Sequence, residues 1–339
     1  SALYQVQEDC TGIPVKVTRT GSLTAQTTVD YMTADGTAEQ RSDYTLASGR
    51  LTFAPGETTK IITLLISEDS FVEGPEFFTI SLSNVTGASL GSISTATVQI
   101  LDDPQEPATN AIDQKEVFVC QHYHDFLNRE PEPPGLLGWQ EILSRCAPSD
   151  IKCDRIEVSS AFYRSDEFQQ RGFFLYRFYA TALGRAPHYM EFMTDLSRTT
   201  GFLTDQQIEA GKAAFIEEFV SRQEFKNRYD SLADAAAYVD ALEATAKVTL
   251  SNKQQLINDL KTGRKTRTDV LRAVAESTEV SAKCFNEAFV VMQYFGYLRR
   301  DPDILYLEWI KILNQTNDYR TLVNGFVNSL EYHSRFGKP

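Results

Sequence analysis

Hydrophobic and polar residues alternate along short segments in the first third of the chain. An alternation with a period of two is typical of strands with one buried and one exposed face. Turn-forming pairs interrupt it, such as Asp35-Gly36, Pro55-Gly56 and Gly74-Pro75. About seven short strands separated by such turns predict an antiparallel β-sandwich. The clearest segments are Ile13–Val17, Thr27–Met32, Ile61–Ile66, Phe77–Leu82 and Ala96–Leu101.

From Phe118 onward, the apolar spacing changes to three and four residues, which predicts helices. One pattern recurs there: an aromatic residue begins it, Leu and Arg lie near its end, and Pro stops it. Its clear copies are Phe118–Pro131, Phe174–Pro187 and Phe289–Pro302. Each is followed by a second pattern close to Ser-x-Glu-Phe, over Phe162–Phe168, Phe219–Phe225 and Phe326–Tyr332. A weaker copy between 238 and 280 lacks the Arg-x-Pro. We expect four related helical units that share a core, because one unit cannot bury its own apolar stripe.

A polar segment with two prolines, between Asp102 and Asn110, separates the two patterns. Proline resists both strand pairing and helix continuation, so the domain boundary is expected there. The predicted architecture has two domains. An all-β immunoglobulin-like sandwich covers 1–103, a linker covers 104–112, and an all-α helical repeat domain covers 113–339.

Charge and composition narrow the function. The 339 residues carry a net charge of −13, and the excess of Asp and Glu is largest in the first third. A nucleic-acid partner would need a basic face, and none is visible. No apolar run is long enough to predict a transmembrane helix. The sequence contains no nucleophile motif and no glycine-rich phosphate loop, so we expect a protein that is not an enzyme.

Several motifs in the first domain resemble those of the Calx-beta domain. They recur in order and at the separations typical of that family, and they cover about 3–103. The motifs are Asp30–Ala38, Ser42–Tyr44, Leu51–Thr58, Asp69–Glu76 and Ile100–Asp103. The resemblance implies an immunoglobulin-like sandwich with a cluster of Ca²⁺-binding carboxylates at one end.

The positions that match this cluster are Glu8, Asp35, Asp43, Glu68, Asp69, Asp102 and Asp103, with Glu73 as a weaker candidate. Calcium needs six to eight oxygen ligands, so carboxylates must converge from several loops. Ser67-Glu68-Asp69 replaces the three consecutive Asp of calcium-sensing members, and Ser48 replaces a Glu. These departures favour a weakened or single-ion site over a full cluster. The alternative is a solvated acidic end that holds no ion.

The second domain resembles the bacterial DUF4214 domain over about 113–337. The resemblance rests on the Leu-x-Arg-x-Pro and Ser-x-Glu-Phe patterns and on Gly135–Trp139 between them. It implies a secreted or surface-associated bacterial protein, with no chemistry assigned to the motif.

Five cysteines suggest disulfides in such a compartment. Cys146 and Cys153 bracket a short polar loop that a bridge can close, and relatives often carry a pair there. A zinc site is the rival, but the spacing without a nearby His fits it poorly. Cys120 and Cys284 lie at equivalent places in the first and last units, which suggests a second bridge. Cys10 would then be either buried without a bridge or bonded to a second chain.

The repeat also predicts ion pairs inside each unit, between the Arg of the first pattern and the Glu of the second. These structural pairs are Arg129–Glu167, Arg185–Glu224 and Arg300–Glu331. Such pairing fixes packing register and carries no chemistry.

Together, these features favour an extracellular structural protein whose copies assemble into a filament, sheath or surface layer. Its main partner would then be a second copy of itself, with cell-surface or matrix components as further partners. The alternative is a calcium-dependent adhesion or ligand-binding module of a larger cell-surface protein.

Overall fold

A computed structural model of the chain describes residues 2–103, 106 and 108–338. Three residues of the predicted linker, 104, 105 and 107, therefore lie outside the described residues. The described part contains seven strands followed by helices, as the sequence predicted. The strands are β1 (Ala2–Gln7), β2 (Thr11–Thr18), β3 (Thr27–Ala34), β4 (Ser48–Phe53), β5 (Thr59–Ile66), β6 (Glu76–Thr86) and β7 (Thr95–Leu101).

The strands form a sandwich of two sheets. One sheet has the order β1-β7-β6-β3-β4, and the other pairs β2 with β5. Neighbouring strands are antiparallel except β1 and β7, which run parallel. Strand β2 shows why alternation marks a sandwich: Ile13, Val15 and Val17 are buried, while the residues between them are exposed. The core lies between the sheets, where Tyr44 stacks on Phe78 with ring centroids 3.9 Å apart.

One glycine is required by close packing at the turn after β3. A Cβ atom built on Gly36 would lie 2.2 Å from the carbonyl oxygen of Phe77. Only glycine lets the two backbones approach this closely. From this turn the chain continues toward Asp43.

The helical part begins with a short 3-10 helix, Ala111–Asp113. The helices that follow are α1 (Lys115–Leu127), α2 (Pro133–Arg145), α3 (Arg155–Arg164), α4 (Asp166–Gln170), α5 (Gly172–Leu183), α6 (Tyr189–Leu196), α7 (Asp205–Ser221), α8 (Gln223–Tyr229), α9 (Ala235–Ala246), α10 (Lys253–Lys261), α11 (Arg267–Ala275), α12 (Thr278–Leu298), α13 (Tyr306–Thr316), α14 (Tyr319–Val327) and α15 (Leu330–His333).

The predicted repeat coincides with these helices. The three clear copies fall on α1, α5 and the second half of α12, and each helix ends shortly before the Pro. The second pattern places a serine at the N-cap of α4 and of α15, where its hydroxyl accepts a backbone N–H.

The chain divides into two compact units whose limits differ from the predicted domains. The first unit comprises Ser1–Arg164, Gln293–Arg300 and Asp318–Pro339, and the second comprises Ser165–Met292 and Asp301–Asn317. The sandwich therefore shares its unit with the first and last helices. The composition change near residue 104 marks a change of secondary structure inside this unit.

Candidate metal centre at the acidic end of the sandwich

Strand topology brings several carboxylates to one end of the sandwich. Strands β1 and β7 run parallel with Gln7 opposite Leu101, so Glu8 and Asp102 leave the sheet side by side. The amide of Glu8 donates to the carbonyl of Leu101 at 2.8 Å. Strand β5 ends at the same place, because Ile66 pairs with Thr11 at the start of β2. Its next residues include Glu68 and Asp69. We call this end of the sandwich the acidic end. Its carboxylates, described below, are those of Glu8, Asp43, Glu68, Asp69, Glu73, Glu76, Asp102, Asp103 and Glu106.

Two of these carboxylates are buried and held by backbone amides. Asp43 accepts a hydrogen bond from the amide of Glu39 at 2.6 Å, and Asp69 accepts one from the amide of Phe71 at 2.7 Å. The amide of Ser67 donates to the carbonyl of Asp43 at 2.8 Å and ties the two loops together. Carboxylate oxygens of Asp43, Asp69 and the exposed Glu73 lie within 4.8 Å of one another. This spacing suits a shared cation.

Asp102 supplies the clearest sign that a ligand belongs here. Its Oδ2 accepts the amides of Glu73 at 2.9 Å and Gly74 at 2.7 Å, which orients the side chain. Its Oδ1 is buried, yet among the described residues it receives no hydrogen bond. An unsatisfied buried carboxylate oxygen is costly, and a bound cation would satisfy it. The residues present therefore fit a hard divalent ion such as Ca²⁺.

Electrostatics point the same way, because burial and neighbouring carboxylates make ionisation of these acidic groups unfavourable. Burial, with Asp69 and Glu68 nearby, raises the pKa of Glu8 from 4.5 to about 10. Burial and the surrounding acidic groups also raise the pKa of Glu68 to about 8 and that of Asp69 to about 7. Crowded carboxylates with raised pKa values are typical of functional sites, where a bound cation would remove the repulsion.

All but one of the predicted site residues lie at the acidic end, and the remaining one, Asp35, is hydrogen-bonded within a turn. Asp43, Asp69 and the weaker candidate Glu73 form its centre. Asp102, Glu68 and Asp69 all act electrostatically on the neighbouring Glu8. Asp103 accepts a hydrogen bond from Gln7 at 3.3 Å and adds to the field on Glu68. Asp35 instead holds a turn, because its Oδ1 accepts the Tyr44 hydroxyl and the amide of Gln40.

Two further acidic residues belong to the acidic end and were not predicted. Burial and the neighbouring Asp43 raise the pKa of Glu76 to about 8. Burial, Asp102 and Asp103 raise the pKa of Glu106 above its usual value. Glu76 closes the Asp69–Glu76 motif that carries the family resemblance, so the sequence did contain a signal for it. Glu106 lies in the predicted linker, where no motif marked it.

The described part of the chain contains two disulfides. Cys146 is bonded to Cys153, the pairing that the sequence predicted. Cys10 is bonded to Cys120, so the expected Cys120–Cys284 bridge is wrong. The sequence could not show that α1 lies beside the turn after β1, with the two Cα atoms 6.2 Å apart. Cys284 is a buried free thiol.

His124 lies beside this disulfide, and the three side chains have the composition of a metal site. Both sulfur atoms are already bonded to each other, so the group has no thiolate to offer an ion. His124 instead pairs with Glu130, its Nε2 lying 3.0 Å from the carboxylate. The disulfide holds α1 against the sandwich within the first unit, and the pair fixes the segment that follows α1.

Two of the three predicted ion pairs form. Arg185 binds Glu224 with an N–O distance of 2.8 Å, and Arg300 binds Glu331 at 2.7 Å. Arg129 and Glu167 belong to different compact units, so that pair stays a prediction.

Comparisons with known proteins match the sandwich. The Calx-beta domain model matches residues 1–104. Sodium/calcium exchanger 1 of Bos taurus is 38% identical over 133 residues, which cover 32% of this chain and 14% of the exchanger. Sodium/calcium exchanger Calx of Drosophila melanogaster is 37% identical over 101 residues, covering 30% of this chain and 11% of that protein. The chain thus spans a small part of these relatives.

A solved structure, the calcium binding domain CBD12 of CALX1.1, is 36% identical. The match covers 30% of this chain and 43% of that one, with a TM-score of 0.29. These comparisons do not support a DUF4214 domain or a bacterial source for the helical part. Among the described residues, none of the helices combines the length and the apolar character that crossing a membrane requires.

Proposed function

Because residues 1–104 are a Calx-beta domain, we propose that this chain is a calcium-binding module of a larger cell-surface protein. The acidic end of the sandwich would hold the ion. Asp43, Asp69 and Glu73, whose carboxylate oxygens lie within 4.8 Å of one another, are the central ligands. Asp102, with its buried Oδ1, and the neighbouring Glu8 and Glu68 complete the oxygen set. Bound Ca²⁺ would supply positive charge that lets these crowded carboxylates ionise together.

The observation that carries this proposal is the buried Oδ1 of Asp102, which receives no hydrogen bond from any described residue. The names of the relatives support the same ion, since they are sodium/calcium exchangers. The departures at Ser48 and Ser67 favour fewer ions than a full cluster would hold.

Isothermal titration of the chelator-treated chain with Ca²⁺ tests the proposal. We expect saturable binding that releases protons, because groups with raised pKa values must lose them to become ligands. Mg²⁺ should bind more weakly, since it demands octahedral geometry and gives up water reluctantly. Absence of a Ca²⁺-dependent heat and of any stabilisation against unfolding would contradict the proposal.

The two disulfides support an extracellular location for the module, because such bonds persist in oxidising compartments. Thiol titration of the purified, unfolded chain measures this. One reactive thiol, from Cys284, is expected without reductant, and five after reduction. Five thiols before reduction would argue for a reducing compartment.

The filament, sheath or surface layer that the sequence favoured has less support than this module, because the named relatives are exchangers. We assign the chain a binding role and no catalytic step. Light scattering at rising concentration, with Ca²⁺ and with chelator, separates the two functions. A module should stay monodisperse in both, whereas growing particles would restore the assembly hypothesis.

A further inference from the structure

The first half of each helical repeat ends on a residue in the left-handed region of the backbone. The φ angles are 48° at Asn128, 67° at Gly184, 55° at Lys247 and 48° at Arg299. This conformation costs a residue other than glycine roughly 1–2 kcal/mol, so local contacts must maintain it. Arg299 is distinctive among the four because its long charged side chain is 2% exposed.

The guanidinium of Arg299 is hydrogen-bonded to sandwich residues that are close in sequence to carboxylates of the acidic end. Its Nη1 donates to the carbonyl oxygens of Gln40 at 3.0 Å and Tyr44 at 2.7 Å. Its Nη2 donates to the hydroxyls of Thr45 at 2.9 Å and Ser67 at 3.2 Å. All of these groups belong to the first compact unit.

These four partners lie on the two loops that carry the buried carboxylates. Gln40, Tyr44 and Thr45 flank Asp43, and Ser67 immediately precedes Glu68 and Asp69. A single planar side chain therefore holds both loops at a fixed separation. Arginine suits this task, because its donors form a rigid fork while a lysine ammonium is a point charge on a flexible stem.

Arg299 also shares a buried carboxylate with a second arginine. Its Nε donates to Asp125 at 3.1 Å, and Arg335 binds the same carboxylate at 3.3 Å. Burial alone would raise the pKa of Asp125, but Arg335 and Arg299 hold that pKa below its usual value. The carboxylate therefore stays ionised and offsets part of the charge of the two guanidinium groups, while the other donors of Arg299 are hydrogen-bonded to the loops of the acidic end.

We propose that Arg299 is a positioning residue for the calcium site, and that it couples ion binding to the end of helix α12. This inference rests on the proposed function. A coupling between two sites is reciprocal: the helix end sets the spacing of the ligand loops, and the bound ion in turn stabilises the helix end. Arg299 occupies a repeat position at which the other copies carry Asn, Gly or Lys.

The test compares Ca²⁺ affinity in the full-length chain with Arg299→Met, Arg299→Lys and the control Arg300→Met. We expect the affinity to fall about 5- to 150-fold in Arg299→Met, the usual range of such couplings. Arg299→Lys should lose less, because it keeps the charge and some of the donors. Arg300→Met, which loses a half-exposed pair with Glu331, should stay within about twofold.

A second measurement uses the unsubstituted chain, so that a variant that fails to fold does not decide the matter. Amide hydrogen exchange at 297–300 should slow when Ca²⁺ is added. Absence of Ca²⁺ binding by the unsubstituted chain would overturn the calcium proposal and this inference together. Normal binding with unchanged affinity in a folded Arg299→Met chain, or with unchanged exchange at 297–300, would overturn the Arg299 inference alone.

Discussion

The acidic end of the sandwich and the arginine networks of the second unit handle charge in opposite ways. In the second unit, Arg185 binds both Glu191 and Glu224. Its hydrogen bond lowers the pKa of Glu224, and it lowers that of Glu191 despite burial. At the acidic end, carboxylates face one another and burial and repulsion raise their pKa values, as for Glu8. The Arg185 pairs therefore stabilise the packed helices, whereas the crowded like charges of the acidic end are an environment that a bound cation would stabilise.

The largest effect is expected from breaking an ion pair in the second unit. Arg222 binds the buried Asp195 with an N–O distance of 2.6 Å. Arg222→Met leaves that carboxylate unpaired, which should lower the free energy of unfolding by about 3–5 kcal/mol. Urea unfolding followed by circular dichroism measures the loss. The control Arg228→Met removes an exposed pair with Glu224 and should cost less than about 1 kcal/mol. Equal losses would show that burial of the pair is unimportant.

The matching change at the acidic end should raise, rather than lower, the stability of the chain in the absence of metal. Asp69→Asn removes one of the crowded negative charges, so the metal-free chain should become more stable at pH 8. The same variant loses a ligand, and its Ca²⁺ affinity should fall about 100-fold or more, at or beyond the loss typical of outer-shell changes. Thermal unfolding and calorimetric titration measure the two effects.

A control for this variant is Glu57→Gln, which removes one charge from an exposed pair with Lys60. It should leave Ca²⁺ affinity nearly unchanged. If Asp69→Asn destabilises the metal-free chain and keeps its affinity, Asp69 acts as an ordinary structural residue and the comparison between the two regions collapses.

A smaller effect concerns pH. A carboxyl whose pKa is higher in the folded than in the unfolded chain stabilises the fold while it is protonated. That contribution is complete below the ordinary pKa near 4 and is lost as pH rises through the folded values. These are about 7 for Asp69, about 8 for Glu68 and Glu76, and about 10 for Glu8.

The metal-free chain should therefore unfold at a lower temperature at pH 9 than at pH 5. Saturating Ca²⁺ should stabilise it most at the higher pH, where the ligands ionise readily. Scanning calorimetry at both pH values, with Ca²⁺ and with chelator, checks this. A metal-free chain that grows more stable between pH 5 and pH 9 would contradict the raised pKa values.

Much of the fold was predictable, because its signals are local. The period-two alternation of β2 and the Pro that follows each first repeat helix report directly on neighbouring residues. Most of the acidic end was also predictable, since the family motifs marked Asp43, Asp69 and Asp102. The exception is Asp35, which its neighbours Gln40 and Tyr44 hold in a turn.

The parts that escaped prediction depend on contacts between distant segments. Cys10 and Cys120 are 110 residues apart, and only the packing of α1 on the sandwich brings them together. Arg299 belongs to an Arg-Arg-Asp-Pro stretch that the repeat alone explained, so its contact with Tyr44, about 250 residues away, left no local trace. The sequence showed which residue types lie at the acidic end, but not that the guanidinium of Arg299 is hydrogen-bonded to its loops.

The most direct test of the account is diffraction from crystals grown with Ca²⁺, with data collected at a wavelength where calcium scatters anomalously. The account predicts an anomalous peak at the acidic end, about 2.3–2.6 Å from oxygens of Asp43, Asp69 and Glu73. It also predicts that Asp102 Oδ1 is one of the ligands. A structure with no peak there at saturating Ca²⁺, and with the carboxyl groups hydrogen-bonded to one another instead, would contradict it.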